Sequence, residues 1–319
     1  MPSVALIILN WNGYHDTAPC FESLRKSRGV NFEIYLVDNG SANKEAARLE
    51  KEFCDLPLRV IALPENLGFA AGNNRGLEIA LKAKAKYFLL LNNDTIIPTD
   101  FLKKMVTAME ADPTLGVLGA VNLYEADRKR IWYTGGYLNR STADFTDPRH
   151  NTTYIPSDRI EPTDDVAGSS LMITRTALEQ VGLLDERFFN NFEESDLCLR
   201  VRDAGYRIAC HMGAFIYHKV SAATGSTGPA KIDINEYFFH RNKVLFLRKH
   251  WSFFAGAPVL AWHSIMSLRR YRYARSRGNR AAPLILWGLR DGFKQNYWKG
   301  SLPAIIEWRK SFPQQPVKA

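Results

Sequence analysis

The chain has 319 residues, 46% of them apolar and 24% charged, with a formal net charge of +9. That balance excludes a disordered chain and fits one large globular domain or two modest ones. Four cysteines, Cys20, Cys54, Cys198 and Cys210, show no paired spacing and read as free thiols in a reducing cytoplasm.

The charge is unevenly placed. From Arg241 onward 16 Lys and Arg stand against two acids, a balance of +14, while the first 240 residues carry −5. A basic region of this kind favours an anionic surface or an anionic acceptor. Nucleic acid is disfavoured as the partner, because large apolar blocks interleave the charges and no nucleic-acid-binding motif is present.

In chain order, "VALIILN" (4–10) lacks a preceding basic region and reads as a first strand rather than a signal peptide. Further apolar runs follow at 33–39, 58–63, 87–94 and 116–121, with helix-length segments at 69–85 and 99–111. Continuous rather than alternating apolarity predicts strands covered on both faces, hence a mostly parallel α/β sheet. In such sheets ligands sit beyond the carboxyl ends of the strands, which directs attention to Asn10, Asn12, Asp38, Asn92, Asn93 and Asp94. Residues 125–165 read as a hairpin and a mobile loop. A strand (168–175), a short helix closed by Gly182, the helix of "FEESDLCLRVRDAGYRI" and a strand (207–219) come next, then a Gly/Ser/Thr-rich loop (221–229). Helical periodicity marks 231–250 and 282–297. Residues 251–268 carry no formal charge and precede six arginines between 269 and 280; the pattern suits a helix lying on an anionic membrane, with a buried core helix as the main competing reading and a membrane span, for which 18 residues are barely enough, as the least favoured.

Several of these residues could carry chemistry. "LLLNNDT" ends a strand in Asp94, an oxygen ligand suited to Mg²⁺ or Mn²⁺ or the start of an Asx-turn. Asp38 in "VDNGS" could accept hydrogen bonds from a nucleobase or ribose, or serve the turn alone. "ENLGFAAGNNRG", with Asn66 and Gly68, brings backbone N–H groups close at a helix start, where anions are favoured. On a 100° wheel, Leu197, Cys198 and Val201 lie within about 60° of Glu194. Glu194 therefore points inward, whereas Glu193, Asp196 and Arg200 point outward, the last two as a surface ion pair. An inward carboxylate needs a partner or a purpose. His218, ending "FIYHK", reads as structural or as a metal ligand.

Together and in order, "IILNWNG", "VDNGS", "ENLGFAAGNN", "LLLNNDT", "DDVAGSSLMITR", "FEESDLCLRVRDAGYRI", "YHK" and "FFHRNKVLF" resemble the family 2 glycosyltransferases, in particular their rhamnosyltransferase-like branch, over roughly residues 3–250. The resemblance implies a GT-A fold: a Rossmann-like, mostly parallel sheet with helices on both faces, followed by a helical C-terminal region. It implies a catalytic domain at 1–230 and a basic, aromatic region at 231–319 that associates with membrane or forms a homodimer. By position, Asp38, Asn10 and Asn12 would read the nucleotide, with Asn66, Gly68, Asn92 and Asn93 in the same nucleotide-sugar site. Asp94 and His218 would hold a divalent metal, Mg²⁺ or Mn²⁺. Glu194 would be the catalytic base, with Glu193, Asp196 and Arg241 facing the acceptor or supporting it. The chain departs from the family in having Glu at the base position and Asn at the start of the D-x-D motif. The expected activity is inverting transfer from a nucleotide-diphosphate sugar to a glycan or polyprenyl-pyrophosphate-linked acceptor in cell-surface polysaccharide synthesis, at the inner face of the cytoplasmic membrane. A nucleotidyltransferase, or a non-catalytic nucleotide-sugar-binding module, is the alternative.

Overall fold

The computed structural model describes residues 3–220 and 229–310. The first half of the chain runs β1 (Val4–Asn10), α1 (Tyr14–Arg25), β2 (Phe32–Asp38), α2 (Glu45–Glu52), β3 (Leu58–Ala62), α3 (Gly68–Ala80), β4 (Tyr87–Leu91), β5 (Thr95–Ile96), α4 (Phe101–Ala111) and β6 (Leu115–Tyr124). Short strands β7 (Ile131–Tyr133), β8 (Tyr137–Asn139), β9 (Asp144–Thr146) and β10 (Ile160–Pro162) lead to β11 (Ser170–Thr174). Then come α5 (Arg175–Val181), α6 (Glu193–Asp203) and β12 (Arg207–His218). Four helices close the chain: α7 (Pro229–His250), α8 (Phe253–Ser276), α9 (Ala282–Lys294) and α10 (Leu302–Lys310).

The chain divides into two units. The first comprises residues 1–140, 144–185 and 193–226; the second comprises 141–143, 186–192 and 227–319.

In the first unit a ten-stranded sheet has the order β10-β12-β6-β11-β4-β1-β2-β3, with β5 on β12 and β7 on β6. Strands β4, β1, β2 and β3 pair in parallel, as do β6 and β12, whereas β11 is antiparallel to both β4 and β6. The apolar runs are continuous because both faces are covered. Val4, Leu6 and Ile8 pack with Phe21, Leu49, Phe101 and Met105 on one side. Ala5 and Ile7 pack with Leu77, Leu178, Leu197 and Val201 on the other. The period-two alternation of a strand is thus retained with apolar residues at every position.

Of the hairpin and loop expected over residues 125–165, the hairpin is present. The β8–β9 hairpin lies there, and the Asp147 carboxylate accepts from both the backbone N–H and the hydroxyl of Thr134, at 2.6 and 3.0 Å. Of the Gly/Ser/Thr-rich loop, residues 221–228 lie outside the described residues.

In the second unit Tyr237, Phe238, Leu284 and Ile305 form a core with Phe189. The Tyr237 hydroxyl donates to Asp291 Oδ2 at 2.6 Å, so this core is tied at its polar end. Among the described residues no helix is long and apolar enough to cross a membrane.

Candidate functional site

The site is built at the carboxyl edge of the parallel strands. Asn10 closes β1 and Asp38 closes β2, and the two are register partners. Asn10 is fully buried, and its amide donates to Asp38 (3.4 Å), Ser41 (3.2 Å) and Glu45 (3.0 Å). Its Oδ1 accepts from Thr17 Oγ1 at 2.8 Å. Every polar atom of Asn10 is used, so it ties the end of β1 to the turn after β2 and to helices α1 and α2. Asn12 is exposed with φ +50°, and its Oδ1 accepts from the Ala42 N–H at 2.9 Å, holding the turn after β2. Asp38 Oδ1 is held by the backbone and hydroxyl of Ser41.

The loop before α3 is fastened to the end of β2. Asn39 donates to Asn66 Oδ1 and to the Gly68 carbonyl, both at 3.1 Å, and accepts from the Leu67 N–H at 2.9 Å. Asn66 in turn accepts from the Gly68 N–H at 2.8 Å. Asn39 was not singled out from the sequence, although it lies inside "VDNGS".

After β4 the three polar residues diverge. Asn93 turns inward, donating to Thr17 Oγ1 at 2.8 Å. The Asn92 amide lies 3.4 Å from His218 Nε2. Asp94 Oδ1 is 3.1 Å from the same nitrogen, and both side chains are buried. Pairing of His218 with Thr95 across β12 and β5 creates this meeting. The His218 ring also packs edge-on against Trp132, with centroids 4.8 Å apart.

Glu194 lies against the segment between β10 and β11. Its Oε1 would be 3.6 Å from a Cβ at Gly168, which places it beside the Phe69 ring that approaches the same point. Its Oε2 is buried and meets no hydrogen-bond partner among the described residues. The next residue in that segment, Ser169, accepts the Asn92 N–H at 3.2 Å. Glu194, the first turn of α3 and the end of β4 therefore all meet the Gly168–Ser169 segment. Burial raises the Glu194 carboxyl above the usual range, opposed by the Gly168 backbone and the Glu193 side chain.

Beneath it is a carboxylate that sequence reasoning passed over. Asp165 is buried, and its Oδ2 accepts from the Tyr133 hydroxyl at 2.6 Å. Desolvation, and then the charge of Glu194, push it up to about 7. The only signal in the sequence is the pair of acids opening "DDVAGSSLMITR".

The outward reading of Glu193 and Asp196 needs correction, because both are buried, Asp196 completely. The wheel treats α6 as a surface helix, whereas the end of α5 covers this side. Arg200 bridges the gap, donating to Asp196 at 2.9 Å and to the carbonyls of Val181 (2.6 Å) and Leu183 (2.8 Å). Arg241, in the second unit, is fully buried, and its guanidinium donates to backbone carbonyls.

Among the described residues, no group of three or more His, Cys, Asp or Glu side chains converges as a metal site. Asp94 and His218 are two side chains that could contribute to holding a metal ion. Such a set fits a Mg²⁺- or Mn²⁺-type ion that takes its remaining oxygens from substrate phosphates and water.

Residues 5–182 match the sequence model of glycosyl transferase family 2, which is more than half of the chain. The chain belongs to that family. The N-acetylglucosaminyl-diphospho-decaprenol L-rhamnosyltransferase of Mycobacterium tuberculosis is 25% identical to this transferase over 274 residues, covering 80% of this chain and 86% of its own. An uncharacterized protein of Sinorhizobium fredii, y4gI, is 31% identical over 70% of this chain, which spans only 25% of that longer protein. Among solved structures, a mannosyltransferase from Pyrobaculum calidifontis in complex with GDP-Man and Mn²⁺ superimposes with a TM-score of 0.55 at 18% identity, covering 97% of this chain and 79% of its own. The transferase therefore has the GT-A fold, its mixed central sheet continued by C-terminal helices.

Proposed function

We propose that this glycosyltransferase is inverting and metal-dependent. It moves a sugar, rhamnose in the first instance, from a nucleotide-diphosphate donor to a glycan or lipid-linked acceptor of cell-surface polysaccharide. The observation that carries the reading is the buried, unpartnered Oε2 of Glu194 beside the Gly168–Ser169 segment that joins it to the end of β4. The M. tuberculosis relative, named for rhamnosyl transfer to a diphospho-decaprenol acceptor, supports the choice of sugar and acceptor.

In this mechanism Asp38, with Asn10 and Asn12 setting its turn, receives the nucleoside. The backbone around Asn66 and Gly68, with Asn92 and Asn93, borders the diphosphate and sugar. Asp94 and His218 would hold the divalent ion, which supplies positive charge to the departing diphosphate. Glu194 takes the proton of the acceptor hydroxyl as its oxygen bonds to the anomeric carbon. The bond from that carbon to the diphosphate oxygen breaks on the opposite face, and the configuration inverts. A raised carboxyl pKa suits this role, since a stronger base is better matched to an alcohol, provided that it is ionised. Glu193 and Asp196 hold the start of α6.

The first unit, approximately residues 1–230, would carry catalysis, and the region 231–319 would place the enzyme at the inner face of the membrane. Helix α8 supports this by being apolar on the wrong side. Its buried positions are Gly256, Val259, His263 and Ser267, while Phe253, Phe254, Trp262, Ile265, Met266 and Leu268 are exposed. Arginines follow directly at 269, 270, 272, 275 and 277. An exposed apolar face ending in cations matches the interface of an anionic bilayer.

The decisive experiment is a thermal-shift screen of nucleotide sugars with and without Mn²⁺, followed by transfer assays of wild type and Glu194→Gln. The reading requires a metal-enhanced shift with at least one nucleotide sugar, and a variant that binds this donor without turning it over. A Glu194→Gln enzyme with near-normal turnover removes Glu194 from the role of base.

A further inference from the structure

Two consecutive aromatic residues of β7, Trp132 and Tyr133, reach the two halves of the proposed site. The Tyr133 hydroxyl donates to Asp165 at 2.6 Å, the carboxyl that feels the charge of Glu194. Successive side chains of a strand point to opposite faces, and Trp132 goes to the other half. Its ring lies edge-on to His218 with centroids 4.8 Å apart, and His218 Nε2 is 3.1 Å from Asp94 Oδ1. All of these residues belong to the first unit.

The ladder is irregular at Trp132. Asn122 of β6 is the partner of Tyr133, and the next residue, Leu123, is the partner of Ile131. One step along β6 thus answers two along β7, and Trp132 is the extra residue of a β-bulge. Bulges interrupt pairing, re-aim a side chain and are over-represented beside active sites. The core does not require this one. Ile131, 3% exposed, already packs with Val121 and Leu123.

The indole is only partly buried, and its N–H donates to no acceptor among the described residues. The one hydrogen bond at this residue is to its backbone carbonyl, which accepts from the His150 ring at 2.7 Å. A broad apolar ring with a free donor on its rim is an amphipathic surface. A hexose offers the matching one, with C–H groups on a ring face and hydroxyls around the edge. In the proposed reaction the hexosyl group lies between its diphosphate, at Asp94 and His218, and the acceptor oxygen at Glu194. Trp132 borders the first of these ends.

We propose that Trp132 is a specificity-determining residue: its indole, set out of the ladder by the bulge, packs on the apolar C–H face of the donor's hexosyl group and offers its N–H to a sugar hydroxyl. A 6-deoxyhexose, whose methyl extends the apolar face, is the class of donor sugar that gains most. The inference rests on the reading of Asp94 and His218 as the diphosphate end of the donor.

The test uses the full chain with Mn²⁺, the nucleotide sugar found by the thermal-shift screen, and the corresponding nucleoside diphosphate without sugar. Calorimetry compares wild type, Trp132→Ala and Trp132→Phe. Trp132→Ala should weaken the nucleotide sugar roughly 10–200-fold, the range for a lost apolar contact in a pocket. The nucleoside diphosphate should bind within twofold of wild type, and Trp132→Phe should recover most of the loss. A purely structural role, in which Trp132 only braces His218, predicts equal loss for both ligands and a shifted Mn²⁺ requirement. Either that pattern or wild-type affinity for both ligands overturns the proposal. A second measurement needs no variant: on the wild type, the C–H protons of the bound sugar should move upfield in the NMR spectrum under the ring current of the indole. Sugar protons that stay in place also overturn it. A donor that binds and is turned over in a Glu194-dependent way, with Trp132→Ala unaffected, sinks this inference alone. Failure of every nucleotide sugar to bind the wild type sinks both readings.

Discussion

Asp94 Oδ1 and His218 Nε2 lie 3.1 Å apart at the ends of two different strands, with Trp132 packed edge-on against the imidazole. The contact exists because β5, immediately after Asp94, turns back to pair with the last residues of β12. A carboxylate and an imidazole held by backbone pairing are pre-organised, so the proposed ion would meet side chains already near the positions from which they would bind it.

Loss of either ligand should therefore appear as a change in metal requirement. His218→Ala is expected to raise the Mn²⁺ concentration for half-maximal turnover by roughly 10–100-fold while saturating metal recovers part of the rate. Asp94→Asn, which removes the only carboxylate of the pair, is expected to lose activity at every metal concentration. Metal titrations of initial rate decide this, and an unshifted titration for His218→Ala would take the histidine out of the site.

The buried carboxyls of Glu194 and Asp165 give a pH signature. Glu194 is raised above the usual carboxylate range by burial, and the proposed base works only when ionised, so turnover should rise with pH through that raised value and fall away below it. Asp165 is pushed up to about 7 by burial first and by the charge of Glu194 second. Deleting that charge makes ionisation of Asp165 easier, so Glu194→Gln should move the Asp165 titration to lower pH, as read by carboxyl carbon NMR. The same variant should lose roughly 10²–10⁴-fold in turnover with donor affinity retained. A titration of Asp165 that stays in place would mean that the two carboxyls do not interact.

Much of this was legible in the sequence, and the reason is local. Strands β1, β2 and β4 announce themselves because both faces are covered, so Val4–Ile8 and Tyr87–Leu91 are apolar throughout. The residues that close them can be found by counting to the end of each run. Antiparallel β11 could not be read, since "SLMIT" has the same apolar pattern whichever way it runs. Asp196 was misplaced because a helical wheel sees only its own helix, and the covering segment at Val181–Leu183 arrives from elsewhere in the chain. Asn39 and Asp165 were passed over for the same reason: their roles depend on Leu67 and Tyr133, which are distant in sequence. The resemblance of the motif set shows the family, and the roles proposed for single residues rest on it rather than on spacing.

Gly40 is a position where the backbone leaves no choice. It has φ +78°, and an added Cβ would come within 2.5 Å of the Glu65 carbonyl carbon and 2.9 Å of the Asn66 nitrogen. Both obstacles are backbone, so Gly40→Ala must move the loop that Asn39 fastens to Gly68. A destabilisation of about 2–4 kcal/mol is expected from the left-handed strain and the overpacking together, seen as a fall in Tm of roughly 5–10 °C. Donor affinity should fall too, because the same loop borders the proposed diphosphate site. Unaltered Tm and affinity would show that the β2 turn and the loop before α3 move independently.

Helix α8 provides the last prediction. Phe253 and Phe254 are 81% and 87% exposed at its start, and Trp262 and Ile265 extend the apolar face toward Arg269 and Arg272. Fully exposed aromatics are costly in water and favourable in a headgroup region, where rings and cations find separate partners. The full chain should float with vesicles containing anionic lipid, and less with neutral ones, and the binding should weaken as salt is raised. Phe253→Glu with Phe254→Glu removes the apolar contact, whereas Arg269→Glu with Arg272→Glu removes the attraction. Each pair should reduce flotation, with turnover on a water-soluble acceptor unchanged. Arg270 is left intact, because it pairs with the half-buried Glu236 of α7 and its loss would disturb the fold. If the phenylalanine pair instead converts a dimer to a monomer by light scattering and flotation is unaffected, the face belongs to a second copy of the chain. The two outcomes are separable because lipid binding depends on the arginines and on salt, whereas an apolar dimer contact through Phe253 and Phe254 strengthens as salt rises.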